Sequence, residues 1–211
     1  MNLLVKTTAL AVLAIGHWVT TGWAQVACPT TAPALTGTPT PCPFHSIDPP
    51  MSGDVFYCSN PVPAPVYCVT IHLIAICGGP EYTTTDPSGN YLLSAYCKKG
   101  VNSGTVVPSM AARTPGSQGI NTIDVVAVQR HFLIIGPPLS GCRLAAADVN
   151  GDSSIDTIDV VAIQRFFLGF STGTANVGKY QFSPPSRCYI NQSNQNFDTL
   201  IFGDVATPFI Y

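Results

Sequence analysis

Twelve consecutive residues carry most of the chemistry this chain can offer: Asp148-Val-Asn150-Gly-Asp152-Ser-Ser154-Ile-Asp156-Thr-Ile-Asp159. Oxygen-bearing side chains fall at positions 1, 3, 5, 9 and 12 of this run. That is the spacing with which one short loop wraps a calcium ion, a backbone carbonyl at position 7 adding a further ligand. The expected ligands are Asp148, Asn150, Asp152, the carbonyl of Ser154, Asp156 and Asp159. Four of the ten aspartates in the chain lie here. Carboxylates crowded this closely repel one another unless a cation neutralises them. Two positions depart from the usual pattern. Ser153 stands at position 6, where glycine turns more easily, and Asp159 stands at position 12, where a glutamate reaches further.

The loop needs an element to hold it, and the sequence repeats that element. Residues 120–133 read INTIDVVAVQRHFL and residues 155–168 read IDTIDVVAIQRFFL, identical at eleven of fourteen positions. In each copy Thr122 or Thr157 is placed to cap a helix, with Asp124 or Asp159 in its first turn at the positive end of the dipole. Val125, Val128 and Phe132 recur at helical spacing, as do Val160, Ile163 and Phe167, so the two apolar stripes are expected to pack together.

A loop followed by a helix, twice, without the usual helix before the loop, resembles a dockerin over residues 113–170, most specifically in Ala-Asp148-Val-Asn150-Gly-Asp152. The resemblance implies calcium-dependent folding and docking onto a cohesin module. It places partner-binding residues at Thr157, Ile158, Gln164 and Arg165, and in the first copy at Thr122, Ile123, Gln129 and Arg130. The first copy's loop departs from the pattern. Its positions 1, 3 and 5 are Arg113, Pro115 and Ser117, and only Asn121 and Asp124 remain as oxygen ligands. One calcium site is therefore expected, with the second degenerate.

Residues 1–24 read as a secretory signal, with Lys6 before an apolar run and a small-residue site ending at Ala24. That run is too short and interrupted for a membrane span once the signal is removed. The eight cysteines follow it, so an extracellular, oxidising location and a disulfide framework are expected for Cys28, Cys42, Cys58, Cys68, Cys77, Cys97, Cys142 and Cys188. Proximity suggests Cys28 with Cys42, Cys77 with Cys97 and Cys142 with Cys188, although connectivity does not follow from sequence. Only 9% of residues are charged, against about 25–35% on a comfortably soluble surface. Glycans or burial against neighbouring subunits would cover such a surface; low charge is equally a compositional habit of disulfide-rich secreted β proteins. The small net charge of −2 argues against nucleic acid, which asks for a basic face.

Residues 25–51 form a Pro/Thr-rich arm whose Thr36, Thr38 and Thr40 offer hydroxyls to O-linked glycans, and Asn191 begins an N-glycosylation sequon. Within 52–110, strands are expected at 55–58, 66–76, 82–85, 91–93 and 105–107, with a turn at Asp86-Pro-Ser-Gly89-Asn90. This stretch resembles transthyretin-like modules, including carboxypeptidase regulatory-like domains, which implies a non-catalytic β-sandwich spacer. The module at 111–170 is followed by a β-rich tail, 171–211, with strands at 179–182, 196–202 and 209–211. That tail completes the sandwich or pairs with another chain's sheet edge. No catalytic motif is present, and the single glutamate, Glu81, makes a pair of catalytic carboxylates hard to find.

The expected fold is mixed but mainly β: a β-sandwich plus a small two-helix calcium module, stapled by disulfides. The expected function is that of a secreted, non-enzymatic, calcium-binding structural protein. In one reading it self-associates into a cell-surface assembly such as a glycosylated filament. In a second it is an adaptor for a cohesin-like module, and in a third an accessory part of a polysaccharide-degrading system.

Overall fold

The computed structural model describes residues 28, 50–58, 64–75, 81–94, 104–189 and 192–206. The signal segment, Thr36, Thr38, Thr40, Cys42, Cys77, Cys97, Asn191 and the strand expected at 209–211 lie outside the described residues.

Six strands come first: β1 (Met51–Tyr57), β2 (Ala64–Pro65), β3 (Thr70–Ala75), β4 (Glu81–Thr84), β5 (Asn90–Leu93) and β6 (Gly104–Ser109). Three helices follow: α1 (Thr122–Phe132), α2 (Cys142–Ala147) and α3 (Thr157–Phe167). The chain then returns to strand with β7 (Tyr180–Ser183), β8 (Arg187–Cys188) and β9 (Phe197–Ile201). One sheet has the order β2-β1-β9-β7, with β5 also paired to β1; the other has the order β4-β3-β6-β8.

Alternation along the strands decides which face is inside. In β1, Met51, Val55 and Tyr57 are buried while Ser52, Asp54 and Phe56 are partly open. Ile71 and Leu73 of β3, Val106 of β6 and Leu93 of β5 join them in one core with Phe197 and Ile201. The turn at residues 86–90 forms as its residues dictate. Asp86 Oδ1 accepts the amides of Ser88 and Asn90, and Gly89 takes a φ of 79°.

The tail is woven into this body. Strand β9 lies between β1, which it meets in parallel through Val55 and Phe197, and β7, which it meets antiparallel. For β9 the expectation of pairing with another chain's sheet edge is therefore corrected: this strand is paired on both sides within the chain. The disulfides also differ from those expected from proximity. Cys28 pairs with Cys68, not Cys42, and Cys142 pairs with Cys58, not Cys188. Cys188 is disulfide-bonded too. Residues 58 and 142 are far apart in sequence, but the end of β1 meets the start of α2, so geometry overrides spacing.

The helical module sits between β6 and β7 and touches the body at many points. The Arg113 amide donates to the Gly178 carbonyl (2.8 Å), and the Gly203 amide donates to Ala146 (2.8 Å). Gly203 has a φ of 90°, and a Cβ there would meet Val177 Cγ1 at 2.7 Å, so the chain passes against the module as only glycine permits. Beside this joint the Tyr57 hydroxyl donates to Asp204 Oδ2 (3.1 Å). Burial, reinforced by the Asp204 charge, pushes the Tyr57 phenol far above its ordinary range.

A third helix corrects the expected two-helix module. Helix α2 ends immediately before the acidic loop, so that loop does have a helix in front of it. Its residues Arg143-Leu-Ala-Ala-Ala147 are strong helix formers. No helix among the described residues is long and apolar enough to cross a membrane.

Candidate metal loop and docking faces

Helices α1 and α3 pack against each other, and Val125, Val128, Val160 and Ile163 on them are all buried. Phe132 and Phe167 do not complete this core as expected. Phe132 is 40% exposed, Phe167 is half-buried, and Phe166 is the aromatic that is enclosed. Full burial of such a ring contributes about 2–3 kcal/mol. In the first copy the matching position is His131, whose Nδ1 accepts the Leu139 amide (3.0 Å).

The caps also shift by one residue from the expected threonines. Asn121 caps α1, its Oδ1 accepting the Ile123 amide, and Asp156 caps α3 in the same way through Ile158. Three residues on, Asp124 and Asp159 close a reciprocal capping box onto the amides of Asn121 (2.9 Å) and Asp156 (3.0 Å). Both carboxylates are fully buried.

The acidic loop is held in a tight coil by its own amides. Asp148 accepts from Gly151, Asp152 and Ser153, and Asp152 Oδ1 accepts from Ser154. Asn150 Nδ2 donates to Asp152 Oδ2 (2.6 Å). Gly151 (φ 78°) and Ser153 (φ 70°) turn the backbone through the left-handed region. A serine there is strained by about 1–2 kcal/mol relative to glycine. Asp159 Oδ1 accepts the amides of Val149 (2.9 Å) and Asn150 (3.4 Å). Burial raises the Asp159 carboxyl above its ordinary value, and the Asp148 charge pushes the same way.

Among the described residues, no three His, Cys, Asp or Glu side chains are drawn onto one point as a metal group. The donor set is nevertheless the one a hard divalent cation takes: oxygen only, on a loop already coiled, with two carboxylates that repel each other. A bound cation would supply the positive charge that this repulsion lacks. Asp148, Asn150, Asp152, Asp156, Asp159 and the Ser154 carbonyl are the groups that would hold it.

In the first copy the buried carboxylate is satisfied differently. Asp124 Oδ1 accepts the amides of Val205 (2.8 Å) and Ala206 (2.9 Å), which arrive from beyond β9. Arg113, at the position matching Asp148, donates from Nη1 to the Gln118 carbonyl (2.9 Å).

Seven of the eight expected partner-binding residues are exposed on the helix pair: Thr122, Ile123, Gln129, Arg130, Thr157, Ile158 and Gln164. Arg165 is half-buried: its Nε donates to the Thr172 carbonyl (2.8 Å), and its guanidinium lies over the Phe170 ring. Ile123 and Ile158, both expected contacts, are each 58% exposed. Sequence reasoning missed the apolar residues beside them: Val126 and Val161 are 47% and 50% exposed, and Leu133 and Leu168 are 57% and 59%. The matched values describe one apolar face presented twice. The signal was legible, since valine recurs at 126 and 161 although both positions lie off the packed stripe.

Elsewhere, a groove of about 1020 Å³ runs between β6, β7, β9 and α2, beside Met110, Tyr180 and Phe182. Among the described residues its lining includes one carboxylate, Asp198.

Residues 116–168 match the family model of the dockerin type I domain. These residues form a dockerin-like module within the chain of 211. No curated protein and no solved structure matches the chain.

Proposed function

We propose that this chain is a secreted, non-catalytic attachment protein. In this reading a disulfide-stapled β body carries a dockerin-like module that binds one calcium ion and docks onto a cohesin-like partner. The observation that carries the reading is the duplicated apolar face of α1 and α3. Large apolar side chains left open at matched positions mark an interaction surface. Dockerin type I domains bind calcium and engage cohesins, which supports both halves of the reading. Asp148, Asn150, Asp152, Asp156, Asp159 and the Ser154 carbonyl are the proposed ligands. Thr122, Ile123, Gln129, Arg130, Thr157, Ile158 and Gln164 are the proposed contacts, with Val126 and Val161 between them. Arg165 would first have to leave Thr172.

Self-association into an extracellular assembly is the second reading, favoured by the same open apolar residues and by the 9% charge. It no longer draws on β9 as a donated strand.

Titration calorimetry tests the metal: one calcium per chain is expected, and its loss in both Asp148→Ala and Asp159→Ala. Unchanged binding in those variants would sink the ligand assignment. Binding to a panel of cohesin modules, measured with and without calcium, tests the partner. A chain that binds none of them but grows in mass with concentration would favour the second reading.

A further inference from the structure

The two copies of the repeat use the same buried carboxylate but fill its second oxygen from different places. In the α3 copy, Asp159 Oδ1 takes the amides of Val149 and Asn150, residues of the metal loop itself. In the α1 copy the matching residues are Thr114 and Pro115, thirty-five positions earlier. Proline has no amide hydrogen to give. The amides of Val205 and Ala206 come to Asp124 Oδ1 instead, at 2.8 and 2.9 Å. The segment that brings them is fixed on both sides. The Gly203 amide donates to the Ala146 carbonyl, a Cβ on Gly203 would meet Val177, Ile163 and Ile120, and Val205 is 1% exposed. The loop of the first copy is further tied down by its Gly116 amide, which donates to the Phe166 carbonyl at the end of α3 (2.8 Å). In the second copy the matching amide, Gly151, turns onto Asp148 within the acidic loop.

We infer that the two docking faces are ordered by different agents: that of α1 by the chain's own residues 203–206, and that of α3 by calcium. The inference rests on the proposed calcium site at residues 148–159. Its consequence is that calcium gates one of two equivalent faces, while the other stays presented in its absence.

Hydrogen–deuterium exchange on the full, oxidised chain tests this without any partner. Removing calcium with EGTA should speed exchange of residues 157–167 by about ten-fold or more, and leave residues 122–132 within about two-fold. Ala206→Pro removes one of the two tail amides and should give the reverse pattern: faster exchange in α1 at saturating calcium, with α3 still protected. Val205→Pro removes the other and should act more strongly on the same helix. Equal acceleration of both helices in EGTA, or acceleration of neither, would overturn the inference. So would an α1 indifferent to both proline variants. Calorimetry separates the two levels of argument: absence of any calcium site defeats the proposed function, whereas one site with both helices loosened defeats only this inference.

Discussion

Replacing Asp124 by alanine removes one side chain and strands three backbone donors. The amides of Asn121, Val205 and Ala206 all end on this carboxylate, and no solvent reaches it. Each bond to a charged acceptor contributes about 1.5–3 kcal/mol net, so the gross loss is roughly 4–9 kcal/mol. Two effects reduce it. The folded state no longer buries a carboxylate, which returns several kcal/mol, and water can enter beside the half-open Asn121 and Ala206. A net destabilisation of about 3 kcal/mol is the working figure, including roughly 1 kcal/mol for the lost capping box. Asp124→Asn keeps one carbonyl oxygen for the two tail amides and should cost about half as much. Guanidinium unfolding of the oxidised protein, followed by circular dichroism, reads both values. A loss under about 1 kcal/mol for Asp124→Ala would refute the view that this residue clasps the tail to the module.

Three further outcomes are expected. Gly203→Ala adds a Cβ against Val177 at a φ of 90°, and should lower stability by about 1–3 kcal/mol in the same unfolding assay. Ile134 is 91% exposed at a φ of 57°, at the end of α1 where the second copy has Gly169; Ile134→Gly should raise stability by up to about 1 kcal/mol, and a lower melting temperature would contradict the strain argument. Burial lowers the His72 pKa below its ordinary 6.5, so the folded state resists this proton more than the unfolded chain does. That contribution is complete above pH 6.5 and is lost as pH falls through the lowered folded value. His72→Gln, which can keep the bond to Ser109, should flatten this acid limb of the stability curve, and an unchanged limb would exclude His72 as its source.

What the sequence disclosed depended on distance along the chain. The repeat, the acidic loop and the 86–90 turn are local patterns, and each residue's role follows from neighbours a few positions away. The face of each helix was read almost correctly, but the aromatic was misjudged by one position because Phe166 and Phe167 are adjacent and equally apolar. The caps were misjudged for a similar reason. Thr122 and Thr157 are acceptable caps, but Asn121 and Asp156, one residue earlier, offer oxygens to the same amides. Helix α2 is short and bears no periodic stripe, so its propensity alone had to announce it. The tail clasp was beyond reach, since its bonds join residues 81 and 82 positions apart. Nothing in Asp124 itself announces that amides from the tail, rather than from its own loop, would occupy it. The disulfides were illegible for the same reason, because the cysteine near in space was not the one near in sequence.

In the attachment role proposed above, the bond between Cys58 and Cys142 would carry a mechanical meaning. Tension applied to the helices would otherwise travel back through β6, and peel it from β3 one hydrogen bond at a time. The cross-link offers a covalent path from the root of α2 directly into β1, in the middle of the first sheet. It also locks away slack. The 84-residue separation between the two cysteines cannot pay out while the bond is intact, which withholds about 280–300 Å of contour length from a stretched chain. Such a tether yields stiffly under load, and its compliance changes only when the bond is reduced.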